Sequence, residues 1–195
     1  LMLLANELVA EWLGSRRCPA IYRVHGRPDE QKLARLGACA ESVGMQVDLE
    51  LFAEPRGIVE FLAKIQDHPK KHVLEMLLLR SLKQAQYDIV NIGHFGLASE
   101  AYLHFTSPIR RYPDLVVHRA VKHVLRGGKV DTSPAAIEDL RAAATLASTR
   151  ERAAMEVERE VVDLYRALHI RTHIGEVLEG TVTAIVGSGL FVALD

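Results

Sequence analysis

From Ser133 to His173 nothing breaks a helical pattern. Ser133 supplies an N-cap and Pro134 a first-turn proline, and no glycine or further proline follows until Gly175. Ala144, Ala147, Ala154, Val157, Val161, Leu164 and Leu168 form a thin apolar stripe, and the remaining faces are charged and read as solvated. One helix of this length commits the chain to a mainly helical architecture.

The rest of the chain is punctuated. Leu4, Leu8, Val9, Trp12 and Leu13 recur at helical spacing from Met2 to Arg16, and Pro19 ends that segment before a short strand over 21–25. Pro28 opens a second helix with Asp29 and Glu30 in its first turn, Leu33, Leu36 and Ala40 on its buried face, and Gly44 at its end. Two more helices are predicted near 56–66 and 70–83. The second contains Met76-Leu77-Leu78-Leu79 and is expected to be deeply buried. From Tyr87 to Phe105, glycines and aromatics suggest extended or irregular backbone. A helix or broken helix then spans 107–126, stopped by Gly127-Gly128. After Gly175, residues 180–186 and 190–194 read as two strands joined around Gly187-Ser188-Gly189. The fold class is α/β, predominantly helical. A lone hairpin is marginal in water, so the last stretch is expected to open a second, β-rich domain, and the chain to be part of something longer.

Hydrophobic residues make up 49% and charged residues 25% of the 195, as in ordinary globular proteins, and the net charge is −1. A nucleic-acid partner therefore cannot be argued from bulk charge, and any phosphate site must rest on local arginines. Cys18 and Cys39 have no metal-ligand spacing and read as reduced thiols of a cytoplasmic protein. No apolar run is long enough for a bilayer, and the first residues lack the basic region and cleavage site of a signal peptide.

The stretch His104-Phe105-Thr106-Ser107-Pro108-Ile109-Arg110-Arg111-Tyr112-Pro113-Asp114-Leu115 carries the chemistry. Ser107 and Pro108 read as the cap and first residue of a helix, whose open N–H groups attract anions. Arg110 and Arg111 would repel that positive helix end, a local conflict that points to an expected anion. An arginine fork matches a phosphate in bidentate geometry. The plainer reading is a capped helix with two surface arginines, one paired with Asp114. Pro113 implies that the helix breaks and restarts. Asp114 and His118 stand at i and i+4, either a base with its orienter or, more simply, a structural hydrogen bond. Arg119 faces the same groove as Arg110 or solvent. His94 and His104 lack ligand-like spacing and read as packed or hydrogen-bonded histidines.

The run NIGHFGLASEAYLHFTSPIRRYPDLVVHR, residues 91–119, is very similar to the signature of the ribonuclease II/R (RNB-domain) catalytic domain, nearest to its R-type members. The segments MLLANELVA, PAIYRVHGRPDEQKL, LLLRSLKQAQY and ERAAMEVEREVVDLY resemble the same family. EGTVTAIVGSGLFVALD resembles the opening strands of the OB-fold RNA-binding barrel that follows the nuclease domain. The resemblance assigns 1–174 to the C-terminal portion of the catalytic domain and 175–195 to the start of that barrel.

The resemblance implies a processive, hydrolytic 3′→5′ exoribonuclease that degrades single-stranded RNA to nucleoside 5′-monophosphates at a magnesium site built by clustered aspartates. Arg110 would hold the scissile phosphate, Arg111 and Tyr112 would shape the same pocket, and Ser107, His118 and Arg119 would line the RNA-binding stretch. Glu158 would tune RNA handling. The family's metal-binding aspartates fall before the first residue of this chain, and Asp29, Asp48, Asp67 and Asp88 are scattered. The chain by itself is therefore expected to be inactive and to need the N-terminal half of the catalytic domain as its partner. The competing expectations are a non-catalytic RNA-binding module and a helical scaffold whose arginine turn is only a cap.

Overall fold

The structure, a computed structural model, describes residues 1–194. The chain forms two compact units, Leu1–Arg150 and Glu151–Asp195.

In the first unit, helix α1 (Met2–Ser15) leads into strand β1 (Tyr22–Val24). The inward residues of α1 are Asn6, Ala10 and Leu13, while Leu4 and Leu8, expected inside, are exposed. The inward face is thus rotated from the most apolar one, because Asn6 is held by hydrogen bonds that repay its burial. Helix α2 (Glu30–Ser42) starts two residues later than its proline suggests. Asp29 is the N-cap, its Oδ1 accepting from the Lys32 N–H at 3.0 Å. Gly44 closes the helix at φ +82°, a left-handed conformation that suits a residue without Cβ.

A short 3-10 helix (Leu49–Ala53), α3 (Pro55–Lys64) and α4 (Lys71–Ser81) complete a three-helix cluster around Leu33, Leu36, Ala40, Phe52, Phe61, Ile65, Leu74 and Leu78. Phe52 and Phe61 meet edge to face with ring centroids 5.3 Å apart. Helix α4 is not buried all round as its composition suggests: Leu74 and Leu78 point inward, but Leu79 is 67% exposed. One face is all that the two neighbouring helices can cover.

Strand β2 (Gln86–Asp88) pairs antiparallel with β1, Tyr22 opposite Asp88 and Val24 opposite Gln86. The Arg23 N–H bonds the Tyr102 carbonyl at 2.9 Å, which lays the 102–105 segment along β1. A second cluster, Ala10, Leu13, Val24, Leu103 and Val117, joins α1 and β1 to helix α5 (Tyr112–Leu125). Helix α6 (Pro134–Ile170) begins as its cap signals, with Ser133 Oγ accepting from the Ala136 N–H at 3.3 Å. Its first part packs Leu140, Ala143, Ala144 and Ala147 against Ile21 and Tyr87. Ser148 Oγ accepts from the Tyr87 N–H at 2.9 Å and ties α6 to the end of the small sheet.

In the second unit the remainder of α6 carries Val157, Val161, Leu164 and Leu168 exposed, so the second half of the expected stripe is uncovered. A 3-10 turn (Arg171–His173) leads to strands β3 (Gly180–Val186) and β4 (Gly189–Leu194), an antiparallel hairpin with a register shift between Val182 and Ala184. Cys18 and Cys39 are free thiols, and burial raises the Cys18 pKa. Among the described residues no helix is long and apolar enough to cross a membrane.

Gly57 tests the packing of α3. A Cβ there would lie 1.9 Å from the Leu51 carbonyl oxygen, a backbone atom that cannot step aside. Gly57→Ala gains helix propensity of about 1 kcal/mol, yet overpacking against backbone, at the upper end of about 1–3 kcal/mol, is expected to win and lower stability by roughly 2 kcal/mol net. Urea unfolding measures the sign directly.

Candidate phosphate-binding turn

Residues 106–111 form a projecting turn between the 102–105 segment and α5. The Ser107 carbonyl accepts from the N–H groups of both Arg110, at 3.3 Å, and Arg111, at 3.1 Å. Pro108 takes the second position of the turn, where its fixed φ is favourable. The helix therefore does not start at Ser107 as its cap-and-proline pair suggests. Arg111 is the N-cap residue of α5 and Tyr112 its first residue, with Pro113 in the first turn, where a missing N–H costs nothing.

The reason is Asp114. Its carboxylate is fully buried and claims three donors: the Ser107 N–H at 2.8 Å, and Arg111 Nε and Nη2, each at 2.8 Å. Arg111, with only 19% of its side chain exposed, is thereby committed to holding the turn. Burial opposes the charge of Arg111, but the bonds to Asp114 outweigh it and raise its pKa. Arg110, one residue earlier, is exposed and has no hydrogen bond or ion pair from its side chain among the described residues. Two adjacent arginines thus have different duties, one internal and one outward. Ile109, just before Arg110, and Tyr112, two residues after it, are also exposed, at 101% and 55%.

The segment before the turn is clamped from both sides. Asn6 of α1 donates through Nδ2 to the Tyr102 hydroxyl at 2.9 Å and accepts the Phe105 N–H on Oδ1 at 3.0 Å. His118 of α5 donates from Nε2 to the Phe105 carbonyl at 2.8 Å, and its ring stacks on Phe105 with centroids 4.0 Å apart and planes within 6°. His118 and Asp114 are not bonded to each other: each is taken by the backbone it positions. Sequence spacing alone missed Asn6, and the signal was available as a polar residue set into an apolar helix pattern.

Behind the turn lies a row of rings. His25 and His94 centroids are 5.1 Å apart, His94 and Tyr102 5.4 Å, Tyr102 and His104 5.8 Å, and His104 and Tyr87 5.6 Å. Tyr87 Oη and His104 Nδ1 share a hydrogen bond of 3.0 Å, and the Arg23 guanidinium lies over the Tyr87 ring at 4.6 Å. His25 is fixed in one tautomer, accepting the Gly96 N–H on Nδ1 at 2.8 Å and donating from Nε2 to the Lys83 carbonyl. Both His94 and His104 are pushed down to about 4. Burial is the main cause, followed by His25 for His94 and by Arg111 and Arg23 for His104. The Nδ1 of His94 is buried without a partner. His94 and His104 are therefore packed residues, as their spacing suggested, although only His104 has its ring nitrogen satisfied.

Arg119 is exposed on α5, and Glu158 is exposed on the part of α6 in the second unit. Among the described residues, no group of three or more His, Cys, Asp or Glu side chains is placed to hold a metal ion.

The outward arginine and its braced turn lie within a mainly helical α/β unit, most of which one family model recognises. The model of the RNB domain family matches residues 1–127. The chain belongs to that family, the ribonuclease II/R family its motif resembles. It is 45% identical to ribonuclease R of Thermotoga maritima, over 99% of this chain and 28% of that protein. Ribonuclease R of Escherichia coli is 36% identical over 100% of this chain and 25% of its own length. A solved structure, Mycoplasma genitalium RNase R in complex with ribose-methylated single-stranded RNA, superposes with a TM-score of 0.88 at 32% identity, covering 100% of this chain and 31% of that one. The chain thus spans roughly a quarter of the length of the curated relatives it matches.

Two outcomes are expected. Asp114→Ala strands the Arg111 charge and the Ser107 N–H, which should cost about 3–5 kcal/mol in urea unfolding. Arg110→Ala, touching nothing, should leave the urea midpoint in place. The depressed imidazoles set a pH dependence as well. Between the unfolded value of 6.5 and the folded value of about 4, the unfolded chain takes up protons that the folded chain refuses. Stability from these two groups is complete above pH 6.5 and is lost as the pH falls toward 4. The urea midpoint should drop across that window, and less steeply in a His94→Phe/His104→Phe double variant.

Proposed function

We propose that this chain is the phosphate-gripping part of a processive, hydrolytic 3′→5′ exoribonuclease acting on single-stranded RNA and releasing nucleoside 5′-monophosphates. The observation that carries the reading is Arg110: an exposed guanidinium, unpaired among the described residues, on a turn whose neighbouring arginine is spent on bracing it. A guanidinium free of internal partners has its full donor fork for a phosphate, and a braced turn holds it without reorganisation as charge builds on that phosphate. Ser107, Arg111 and Tyr112 shape the turn, His118 positions it through Phe105, and Arg119 continues the contact surface. Glu158 tunes RNA handling by placing a negative charge near the polyanion.

On this reading, residues 1–174 are the C-terminal portion of the catalytic domain and 175–195 the first strands of an OB barrel. Magnesium belongs to the complete enzyme, which works in the cytoplasm. The carboxylates that hold the ion come from the N-terminal half of the catalytic domain, so the 195 residues by themselves bind RNA without cutting it. The single-stranded and double-stranded RNA in two Mycoplasma genitalium RNase R complexes supports RNA as the substrate class. The alternative is a binding module that never cuts. Likeness to a yeast protein described as a pseudonuclease, Ssd1, at 26% identity and a TM-score of 0.63 over 76% of this chain, keeps that reading in play.

A time course with a 5′-labelled single-stranded oligoribonucleotide and magnesium separates these readings. The expected result is binding without shortening by the chain alone, and stepwise 3′ shortening once the N-terminal half of the catalytic domain is supplied. Binding that never converts to shortening favours the non-cutting module. In the reconstituted enzyme Arg110→Ala should lower kcat by about 10²–10³-fold, the usual cost of losing one preorganised contact to developing charge. A wild-type kcat in that variant removes Arg110 from the site.

A further inference from the structure

We infer that the exposed face of α5 is a second contact surface for single-stranded RNA, with Arg119, Lys122 and Arg126 forming a phosphate track that leads away from Arg110. This rests on the proposed function and extends it from Arg119 to Lys122 and Arg126, which lie beyond the sequence motif.

The first argument is charge. From Arg110 through Lys129 the chain carries six cations and one acid, in a protein whose net charge is −1. The one acid, Asp114, is buried and consumed by Arg111. Arg119, Lys122, Arg126 and Lys129 are all exposed, and none makes an ion pair or side-chain hydrogen bond among the described residues. On other helices Arg56, Lys71, Arg141 and Arg166 each pair with an acid of the same helix, Glu60, Glu75, Glu138 and Asp163.

The second argument is placement. At 3.6 residues per turn, Tyr112, Arg119, Lys122, His123 and Arg126 fall within an arc of about 100°. The residues packed against the core, Val117, Ala120, Val121 and Val124, occupy the opposite side. Arg119 and Lys122 are three apart, and Lys122 and Arg126 four apart, spacings at which like charges destabilise a helix. Helix-dipole complementarity accounts for cations in the last turn, but not for Arg119 in the middle or for Arg110 beyond the N-terminus, where the dipole opposes them. A polyanion relieves the whole set at once.

Two features favour a single strand. The ridge extends about 21 Å along the 14-residue helix from the turn that holds Arg110. Its near end presents the half-exposed ring of Tyr112, a surface on which an unpaired base can stack.

The test is equilibrium binding of a labelled single-stranded oligoribonucleotide to the 195-residue chain across a salt series, with far-UV circular dichroism confirming that each variant is folded. Lys122→Gln/Arg126→Gln should reduce the slope of log K against log salt by about 1.4, and Arg110→Ala by about 0.7. Between 50 and 200 mM salt, the affinity lost by the double variant should then be about sevenfold less than that lost by wild type. A slope reduced by Arg110→Ala but untouched by the double variant overturns the ridge and leaves the proposed function standing. No salt-dependent binding by the wild-type chain overturns both. A blunt duplex of equal length that binds as tightly as the single strand, and loses as much in the double variant, overturns the single-strand assignment.

Discussion

The geometry around Arg110 depends on one buried carboxylate. Asp114 sits in the first turn of α5 and takes the Ser107 N–H and both edge donors of Arg111. A lone carboxylate could not be buried there, and a lone guanidinium would not fold back against the chain. Together they turn a flexible six-residue connection into a rigid projection. The division of labour between the two arginines follows. A bidentate partner satisfies Arg111 internally, and the same bonds force residue 110 outward.

The bracing continues into the core through polar contacts. Asn6 and His118 satisfy the two backbone groups of Phe105 from opposite sides, so the turn is registered against α1 and α5 at once. The apolar cluster of Ala10, Leu13, Leu103 and Val117 sets the distance between those helices. The row of histidines and tyrosines behind the turn adds packing without adding charge, because burial and the neighbouring arginines keep His94 and His104 unprotonated near neutral pH.

Much of the fold was legible from local chemistry. The cap of α6 at Ser133, the stop of α2 at Gly44, and the breaks at Gly127-Gly128 and Pro19 are dictated by residues whose backbone preferences outweigh their surroundings. Errors arose where a local signal met a distant partner. Ser107-Pro108 has the form of a helix start, but Asp114 captures the Ser107 N–H and makes the segment a turn. Asp114 and His118 have the spacing of a pair, but each finds a backbone partner instead. Met76 to Leu79 is apolar all round, yet only one side of α4 has neighbours to cover it.

The sequence by itself determined the family, through the 29-residue run around the arginine pair, and the order of helices, through periodicity and caps. These are properties of residues near one another along the chain. Tertiary structure alone decided which arginine faces outward, that Asn6 from the first helix holds a segment about a hundred residues away, and that the apolar side of α5 is covered while its cationic side is left to solvent. Each depends on where a side chain finds its hydrogen-bond partner or its solvent. That is settled by packing between distant segments, for which the linear order of residues carries no distance.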